Sequence, residues 1–331
     1  MKFSKLFSAF IPASVLLLLL SGCASPGTAG SEDSGKIRAV ATIFPQYDFL
    51  RQIGGDHLEL TMLLKPGAES HSFEPTPADM ITVSQSDLFV YVGGDSDAWV
   101  ETILESVDVS EKEIVTLMDC VETVAEEDVE GMETHGHAHD HEDEDPTAAD
   151  GDHEEAEQDE HVWTSPRNAV RIVEKLRDAL IAVDPENAGD YTQNAADYID
   201  RLNRLNQEFQ ETVDTAKRHT ILLGDRFPFR YFADEYGLDY YAAFPGCASD
   251  TEPSAATMAF LINKVREEKV PAVLKMELSN ENIAGAIAEA TGTEVRTFYS
   301  CHNLSAEEFE EGETYLSMMQ KNVETLKEVL N

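Results

Sequence analysis

Short apolar runs alternate with amphipathic helical patterns along most of the chain, and this alternation restricts its fold more than any other feature. Helical segments are predicted at 45–53, 77–85 and 97–106, and they separate β-rich runs at 37–43, 58–64, 87–93 and 113–117. Strands that alternate with helices pair in parallel, because each helix carries the chain back to the edge where the next strand begins. The sequence therefore predicts a four-stranded, mostly parallel sheet flanked by helices.

A second series of the same kind occupies the C-terminal part of the chain. Its strands are predicted at 219–225, 239–244, 271–277 and 294–300, with helices at 228–236, 254–268, 280–290 and 312–330. The fold class is therefore α/β with two lobes, each built on its own four-stranded sheet.

A long helix is predicted between the two series, after a shorter helix at 167–182. Asp184 is expected as its N-cap and Pro185 as its first helical residue, and the pattern continues to about Lys217. Apolar side chains recur at spacings of three and four in Ala188, Tyr191, Ala195, Tyr198, Leu202, Leu205, Phe209 and Val213. Such a helix would be roughly 50 Å long. It is either a long surface helix or, because the second series begins directly after it, a rigid connection between two lobes.

The predicted organisation is therefore an N-terminal lobe at 37–183, a linking helix at 184–217 and a C-terminal lobe at 218–331. Residues 1–22 are typical of an export signal, because two early lysines precede an apolar run shorter than the roughly 20 residues of a membrane-spanning helix. An uncleaved anchor helix is the alternative.

The end of the signal predicts a lipid anchor. Leu20-Ser21-Gly22-Cys23 resembles the bacterial lipobox, in which the cysteine becomes the lipidated N-terminus after cleavage. Residues 23–36 are rich in Gly, Ser, Thr and Pro and suit a flexible tether. The folded part is expected outside the cytoplasm, held to the membrane through Cys23.

An acidic, histidine-rich segment is predicted as a loop at 126–160. The formal net charge is −40, from 24 basic and 64 acidic residues, and this segment alone holds 17 of the acidic ones. Such a charge excludes nucleic acid as a partner and attracts cations. The segment is too polar to repay the entropy of ordering. It is either a charged linker or an accessory metal-binding loop through His135, His137, His139, His141 and His153.

Three cysteines remain once Cys23 is assigned to lipid: Cys120, Cys247 and Cys301. An oxidising compartment permits one disulfide, and Cys247 with Cys301 is the expected pair, because both follow predicted strands in the C-terminal lobe. A thiolate metal ligand and buried thiols are the alternatives.

Metal-binding side chains follow several predicted strands, where open parallel sheets bind their ligands. In the N-terminal lobe, His71 follows the second strand, and His161 precedes the helix at 167–182. In the C-terminal lobe the candidates are Asp225, Glu277, Cys301 and His302. Singly, each is also consistent with a structural or surface role. Together, two imidazoles from one lobe with an oxygen and an imidazole from the other make a four-ligand site suited to zinc.

The order of motifs resembles the substrate-binding proteins of bacterial zinc and manganese ABC transporters, the metal-binding cluster with a rigid linking helix. The resemblance covers nearly all of 37–330 and rests on ATIFPQYDFLRQIGGD, LLKPGAESHSFEPTPADM, GGDSDAWVE, DEHVWTSPRNA, VDPENAGDYTQNAADYIDRLNRLNQEF, the FRYFADEYGL block and CASDTEPSA. It implies two four-stranded α/β lobes joined by a long helix.

The resemblance also implies a ligand set. The first two ligands fall on His71 and His161. The third ligand usually lies shortly before the FRYFADEYGL block. Counting back from Phe229 without a gap gives Arg226, but arginine cannot ligate a metal. A one-residue insertion, which gives Asp225, is therefore preferred. The fourth falls within SCHN, where His302 is the candidate and Cys301 the alternative. Family members that prefer zinc often carry a histidine-rich acidic loop between the first two ligands.

The function implied is capture of Zn²⁺ and its delivery to an ABC permease by a lipid-anchored monomer, without catalysis. Manganese or iron on the same scaffold is one alternative. A metallohydrolase is another, but the loop lacks the H-x-H-x-D-H pattern: counted from His135, a histidine stands at 139 and an aspartate at 140.

Overall fold

Two four-stranded parallel sheets, each flanked by helices, form the framework of the protein. The computed structural model describes residues 35–69, 73–110, 112–133, 157–248 and 252–331. The first sheet has the order β2-β1-β3-β4 and consists of β1 (Ile37–Ala41), β2 (Leu58–Met62), β3 (Leu88–Tyr91) and β4 (Glu113–Thr116). Its flanking helices are α1 (Phe44–Gly54), α2 (Pro77–Gln85) and α3 (Ala98–Ser106). The predicted strands are confirmed and end one or two residues earlier than expected.

Two helices connect this sheet to the next. They are α4 (Pro166–Val183) and α5 (Ala188–Asp214), with a 3-10 turn at Pro185–Asn187 between them. The Asp184 side chain does not cap the helix as expected. Its carboxylate instead accepts hydrogen bonds from the Tyr191 hydroxyl at 2.6 Å and from Asn187 Nδ2 at 2.7 Å. The long helix therefore begins at 188 and, at 27 residues, is about 40 Å long.

The second sheet has the order β6-β5-β7-β8 and consists of β5 (Thr220–Phe227), β6 (Asp239–Pro245), β7 (Ala272–Lys275) and β8 (Glu294–Thr297). Its helices are α6 (Arg230–Tyr236), α7 (Ala255–Glu268), α8 (Asn282–Thr291), α9 (Ala306–Glu310) and α10 (Tyr315–Val329). The sequence did not predict α9. The last helix begins later than expected because Thr314 caps it: its side chain accepts the backbone N–H of Ser317.

Helix α5 packs against both halves of the fold, as the linking role requires. It contacts α1 and α4 beside the first sheet and α6 and α10 beside the second. Phe209 of α5 meets Phe232 of α6 edge to face, with ring centroids 4.9 Å apart. One hydrophobic core continues from the first sheet along α5 to the second, and residues Lys36–Asn331 form one compact unit.

The chain after β4 crosses to the second sheet before the histidine-rich segment begins. The backbone N–H of Glu133 donates to Ala243 O at 2.9 Å, and its carboxylate accepts from Ser254 N and Thr257 Oγ1 at the start of α7. Ala125 pairs with Gln158 in an isolated antiparallel bridge. Both ends of the predicted loop are therefore docked on the folded body. The histidines of that loop, His135, His137, His139, His141 and His153, lie outside the described residues.

The predicted signal, Cys23 and most of the predicted tether also lie outside the described residues. Within the ranges that the structure describes, no helix combines the length and the apolar character needed to span a membrane.

The expected disulfide between Cys247 and Cys301 is wrong, because both thiols are free, as is that of Cys120. Cys301 is fully buried in the main hydrophobic core. Cys247 lies in the turn after β6, where its backbone N–H donates to Glu126 Oε1 at 2.9 Å. The position of a cysteine after a strand did not reveal that one of the two thiols would be enclosed in the core.

Candidate metal site

His161 is fixed in a fully buried position by its neighbour two residues earlier. Asp159 Oδ1 lies 2.8 Å from the backbone nitrogen of His161 and 3.0 Å from its ring Nδ1. Asp159 is itself held between the lobes, since its N–H donates to Val124 O at 2.9 Å and its carbonyl accepts from the Tyr231 hydroxyl at 2.7 Å. A carboxylate on Nδ1 sets the tautomer in which Nε2 carries the lone pair for a metal.

His302 lies on the loop after β8 and meets His161 directly. Their ring centroids are 4.7 Å apart with planes at 78°, and the Trp163 ring lies 4.8 Å from His302 on another side. The His302 backbone is tied to the first lobe because Phe44 N donates to its carbonyl at 3.3 Å. Ser300 Oγ lies 3.0 Å from His302 Nδ1. The structure thus brings together one imidazole from each side of the protein.

A cavity of about 180 Å³ adjoins His302, and Asp225 and Glu277 both line it. Asp225, near the end of β5, accepts hydrogen bonds from Arg226 N at 2.9 Å and from Met276 N at 3.2 Å. Glu277 accepts from the backbone N–H of Ser300 at 2.8 Å and from its hydroxyl at 2.9 Å.

Burial raises the pKa of Glu277 to about 7, although the hydrogen bonds from Ser300 act in the opposite direction. A divalent cation in the cavity would favour the ionised carboxylate. A cation bound in the cavity would therefore displace the Glu277 proton.

The alternative ligand Cys301 points into the core rather than into the cavity. Its sulfur lies 3.9 Å from Tyr299 O, and its side chain is inaccessible to solvent. Burial holds the pKa of the Cys301 thiol well above its ordinary value, which disfavours the thiolate that a metal would need. At this position His302 is therefore the better candidate.

His71 lies in residues 70–72, outside the described residues, but the chain on its N-terminal side is held beside the other candidates. Asn303 Nδ2 donates to Lys65 O at 2.8 Å and to Ala68 O at 2.9 Å. Ala68 and Glu69 line the same cavity as Asp225 and His302. The segment that leads to His71 is therefore hydrogen-bonded to the loop that carries His302.

Sequence reasoning missed Asp159, which positions His161, and the role of Arg226 in the cavity wall. The DEH triplet contained a usable signal, because an aspartate two residues before a histidine can reach its ring.

Among the residues that the structure describes, no three His, Cys, Asp or Glu side chains are arranged as a group that could hold a metal ion.

Comparison with known proteins identifies the family of this chain. The model of the family described as zinc-uptake complex component A, periplasmic, matches residues 39–329. The zinc-binding lipoprotein AdcA of Streptococcus pneumoniae is 31% identical over 317 residues, which are 96% of this chain and 59% of that protein. The high-affinity zinc uptake system protein ZnuA of Bacillus subtilis is 31% identical over 328 residues, 98% of each chain.

Solved structures agree with the sequence relatives. The crystal structure of the Zn(II)-bound ZnuA-like domain of S. pneumoniae AdcA has a TM-score of 0.71 and 27% identity, and it covers 89% of this chain and 99% of that one. The chain thus spans 59% of the full S. pneumoniae AdcA but 99% of the solved ZnuA-like domain of that protein. Since the family model covers almost all of the folded body, the chain belongs to the family of periplasmic zinc-uptake complex component A proteins, which are solute-binding proteins and not enzymes.

Proposed function

We propose that this protein captures Zn²⁺ outside the cytoplasm and delivers it to an ABC permease. The observation that carries the proposal is the contact between His161 and His302, whose rings come from opposite lobes and lie 4.7 Å apart. Both relatives described above are named for zinc binding or zinc uptake.

The proposed ligands are His71, His161, His302 and Asp225, with Glu277 as the alternative oxygen donor. Three imidazoles and one carboxylate match the nitrogen-rich, four-coordinate sites that zinc prefers, whereas manganese favours more oxygen ligands. Ligands at the ends of strands and on tied loops are held in place before the ion arrives, so little ordering entropy is lost on binding.

Delivery requires the ion to leave the site when the protein meets the permease. The lobes are joined by the continuous helix α5 and share one core, so small tilts and loop shifts are expected rather than a wide hinge motion. The loop that carries His302 is the candidate moving part. Similar small-angle scattering profiles for the metal-free and zinc-bound protein would support this, and a change as large as a domain closure would oppose it.

The proposal includes attachment through a lipid on Cys23, a monomeric state and an accessory role for the histidine-rich segment. A lipid on Cys23 and a flexible tether would keep the folded body close to a membrane permease. The segment's histidines and carboxylates would raise the local concentration of cations near the site.

Competitive titration of Zn²⁺ and Mn²⁺ against a fluorescent chelator tests the site. His71→Ala, His161→Ala and His302→Ala should each weaken zinc binding by about two orders of magnitude or more, since each removes one of four ligands. Deletion of residues 134–156, which leaves the docked ends intact, should keep one tight site and lose only weakly bound ions. His219→Ala is the matched control, because this histidine is exposed next to β5.

The proposed position of the zinc site is contradicted if deletion of residues 134–156 abolishes tight zinc binding while the three histidine substitutions leave zinc affinity unchanged. Tighter binding of Mn²⁺ than of Zn²⁺ would contradict the choice of metal and leave the site itself in place.

A further inference from the structure

We infer that the cavity beside the proposed zinc site seats a small carboxylate anion, which enters with Zn²⁺ and bridges the ion to Arg226. The inference rests on the proposed function and adds a second ligand to it. Its starting point is a permanent positive charge in a cavity that is meant to receive a cation.

Arg226 is largely enclosed in the wall of the cavity. Its side chain is 13% exposed, and Nη1 donates to Ala248 O at 3.3 Å. The guanidinium remains protonated at any physiological pH. A fixed cation in the wall of the cavity opposes the entry of Zn²⁺ unless negative charge lies between them. Glu69 supplies this negative charge in the metal-free protein, and an exogenous carboxylate would supply it between the guanidinium and Zn²⁺.

The guanidinium already holds a carboxylate at the edge of the cavity. Nη2 lies 3.1 Å from each carboxylate oxygen of Glu69, a residue of the opposite lobe. This contact shows that a carboxylate fits the guanidinium from the cavity side. The Glu69 side chain is 50% exposed, and ion pairs with such exposure are weakly held. A competing carboxylate can therefore take this place.

The two carboxylates of the C-terminal lobe that face the cavity are already held by the protein. Both oxygens of Asp225 accept backbone N–H groups, and both oxygens of Glu277 accept hydrogen bonds from Ser300. These bonds occupy part of the lone-pair capacity that a metal would use. In the protein that holds both Zn²⁺ and the anion, an exogenous carboxylate would take the oxygen position otherwise proposed for Asp225, without breaking these bonds.

The cavity is also larger than a bare ion requires. Its volume is about 180 Å³, whereas a water molecule takes about 30 Å³ in the liquid. There is room for Zn²⁺ and a small organic anion together. The ligand class is therefore a small monocarboxylate, with one oxygen on the metal and the other on Arg226.

Zinc affinity measured with and without acetate tests the inference. Acetate is chosen because it binds Zn²⁺ weakly in water and so competes little with the protein. In a non-coordinating buffer of constant ionic strength, replacing chloride with 50 mM acetate should tighten zinc binding about tenfold in the unmodified protein. In Arg226→Gln the affinity should not respond to acetate. Arg204→Gln, a change at an exposed arginine of α5, should behave as the unmodified protein.

Equilibrium dialysis with labelled acetate gives a second readout. One acetate per chain should be retained in the presence of zinc and much less in its absence, and Arg226→Gln should retain none. Glu69→Gln should increase acetate retention, because it removes the competing carboxylate.

Several outcomes would overturn the inference: no response of zinc affinity to acetate, an equal response in Arg226→Gln, or equal acetate retention with and without zinc. Loss of zinc binding in Glu69→Gln under both conditions would also overturn it, since Glu69 would then supply the oxygen. In each of these cases, tight zinc binding by the unmodified protein leaves the proposed function intact. Absence of tight zinc binding in both buffers would instead refute the proposed function.

Discussion

Replacing Asp159 by asparagine should weaken zinc binding without removing any proposed ligand. Asp159 and His161 are both fully enclosed, and one carboxylate oxygen contacts both the backbone nitrogen and ring Nδ1 of His161, at 2.8 and 3.0 Å. Asparagine keeps an acceptor of the same size but removes the charge. A hydrogen bond to a charged group stabilises a protein by about 1.5–3 kcal/mol. Roughly half of that stabilisation is lost when the charge is removed, because a neutral hydrogen bond is about half as strong.

The same charge makes the imidazole a stronger donor to a metal, and changes to such partners lower metal affinity by about 10- to 100-fold. This range corresponds to about 1.4–2.7 kcal/mol of binding free energy. Without metal the substitution should be nearly neutral for stability, because Asp159 also lies near other carboxylates. Its charge adds to burial in raising the pKa of Glu126, and asparagine relieves that repulsion.

The assay is a zinc competition titration combined with urea unfolding of the metal-free protein. Asp178→Asn is the matched control, since Asp178 is an exposed partner of Arg177 on α4 and should leave zinc affinity unchanged. Zinc affinity within twofold of the unmodified protein would refute the reasoning. So would a loss of metal-free stability as large as the loss of binding free energy, because Asp159 would then act on folding alone.

Three further substitutions probe other parts of the protein. Burial raises the pKa of Asp97 to about 6, so the folded protein holds this proton more tightly than the unfolded chain does. The stability gained from the bound proton is fully present below about pH 4 and is lost as the pH rises through 6. In urea unfolding between pH 4 and pH 7, Asp97→Asn should therefore lose less stability than the unmodified protein, by on the order of 2–3 kcal/mol. Phe209→Ala should lower the free energy of unfolding by about 3–5 kcal/mol, because it empties a fully buried position of α5. Gly246→Ala would place a Cβ 3.0 Å from Cε1 of His161, so zinc affinity measured by competition should fall several-fold while the fold is retained.

Controls for these changes lie in the same chain. Asn203→Ala, at an exposed position of α5, should leave the free energy of unfolding almost unchanged. Gly189→Ala should not alter zinc affinity, because an added Cβ there meets no atom within 4 Å. A pH response of Asp97→Asn equal to that of the unmodified protein would show that Asp97 does not hold its proton in the folded state.

Most of the fold was predictable from the sequence because it depends on local periodicity. Helix α2 was predicted with its observed bounds, where Thr76 and Asp79 form a capping box around Pro77. The eight strands were found because buried parallel strands are short apolar runs between helical patterns. The linking helix was placed correctly, but its first turn was not, because the Asp184 carboxylate binds Tyr191 one turn into the helix, a contact that spacing does not reveal.

The candidate site was only partly predictable. His161 and His302 could be proposed from their motifs, yet they are 141 positions apart in the chain, and only the packing of both lobes on α5 brings their rings into contact. The placement of His71 and the loop histidines stays a prediction. The docking of residues 126–133 was not foreseen, because composition suggests a solvated loop while partners such as Ser254 and Ala243 come from the other lobe.

The sequence by itself determined the α/β class, the two series of strands and the residue types available for metal binding, because hydrophobic periodicity and side-chain chemistry are local properties. Tertiary structure alone decided which of those residues meet. It enclosed Cys301 in the core, left His302 at the cavity and placed the Arg226 guanidinium opposite Glu69. The physical reason is that burial, charge and hydrogen bonding at this site depend on neighbours from both lobes, which are distant in the chain and are brought together only by folding.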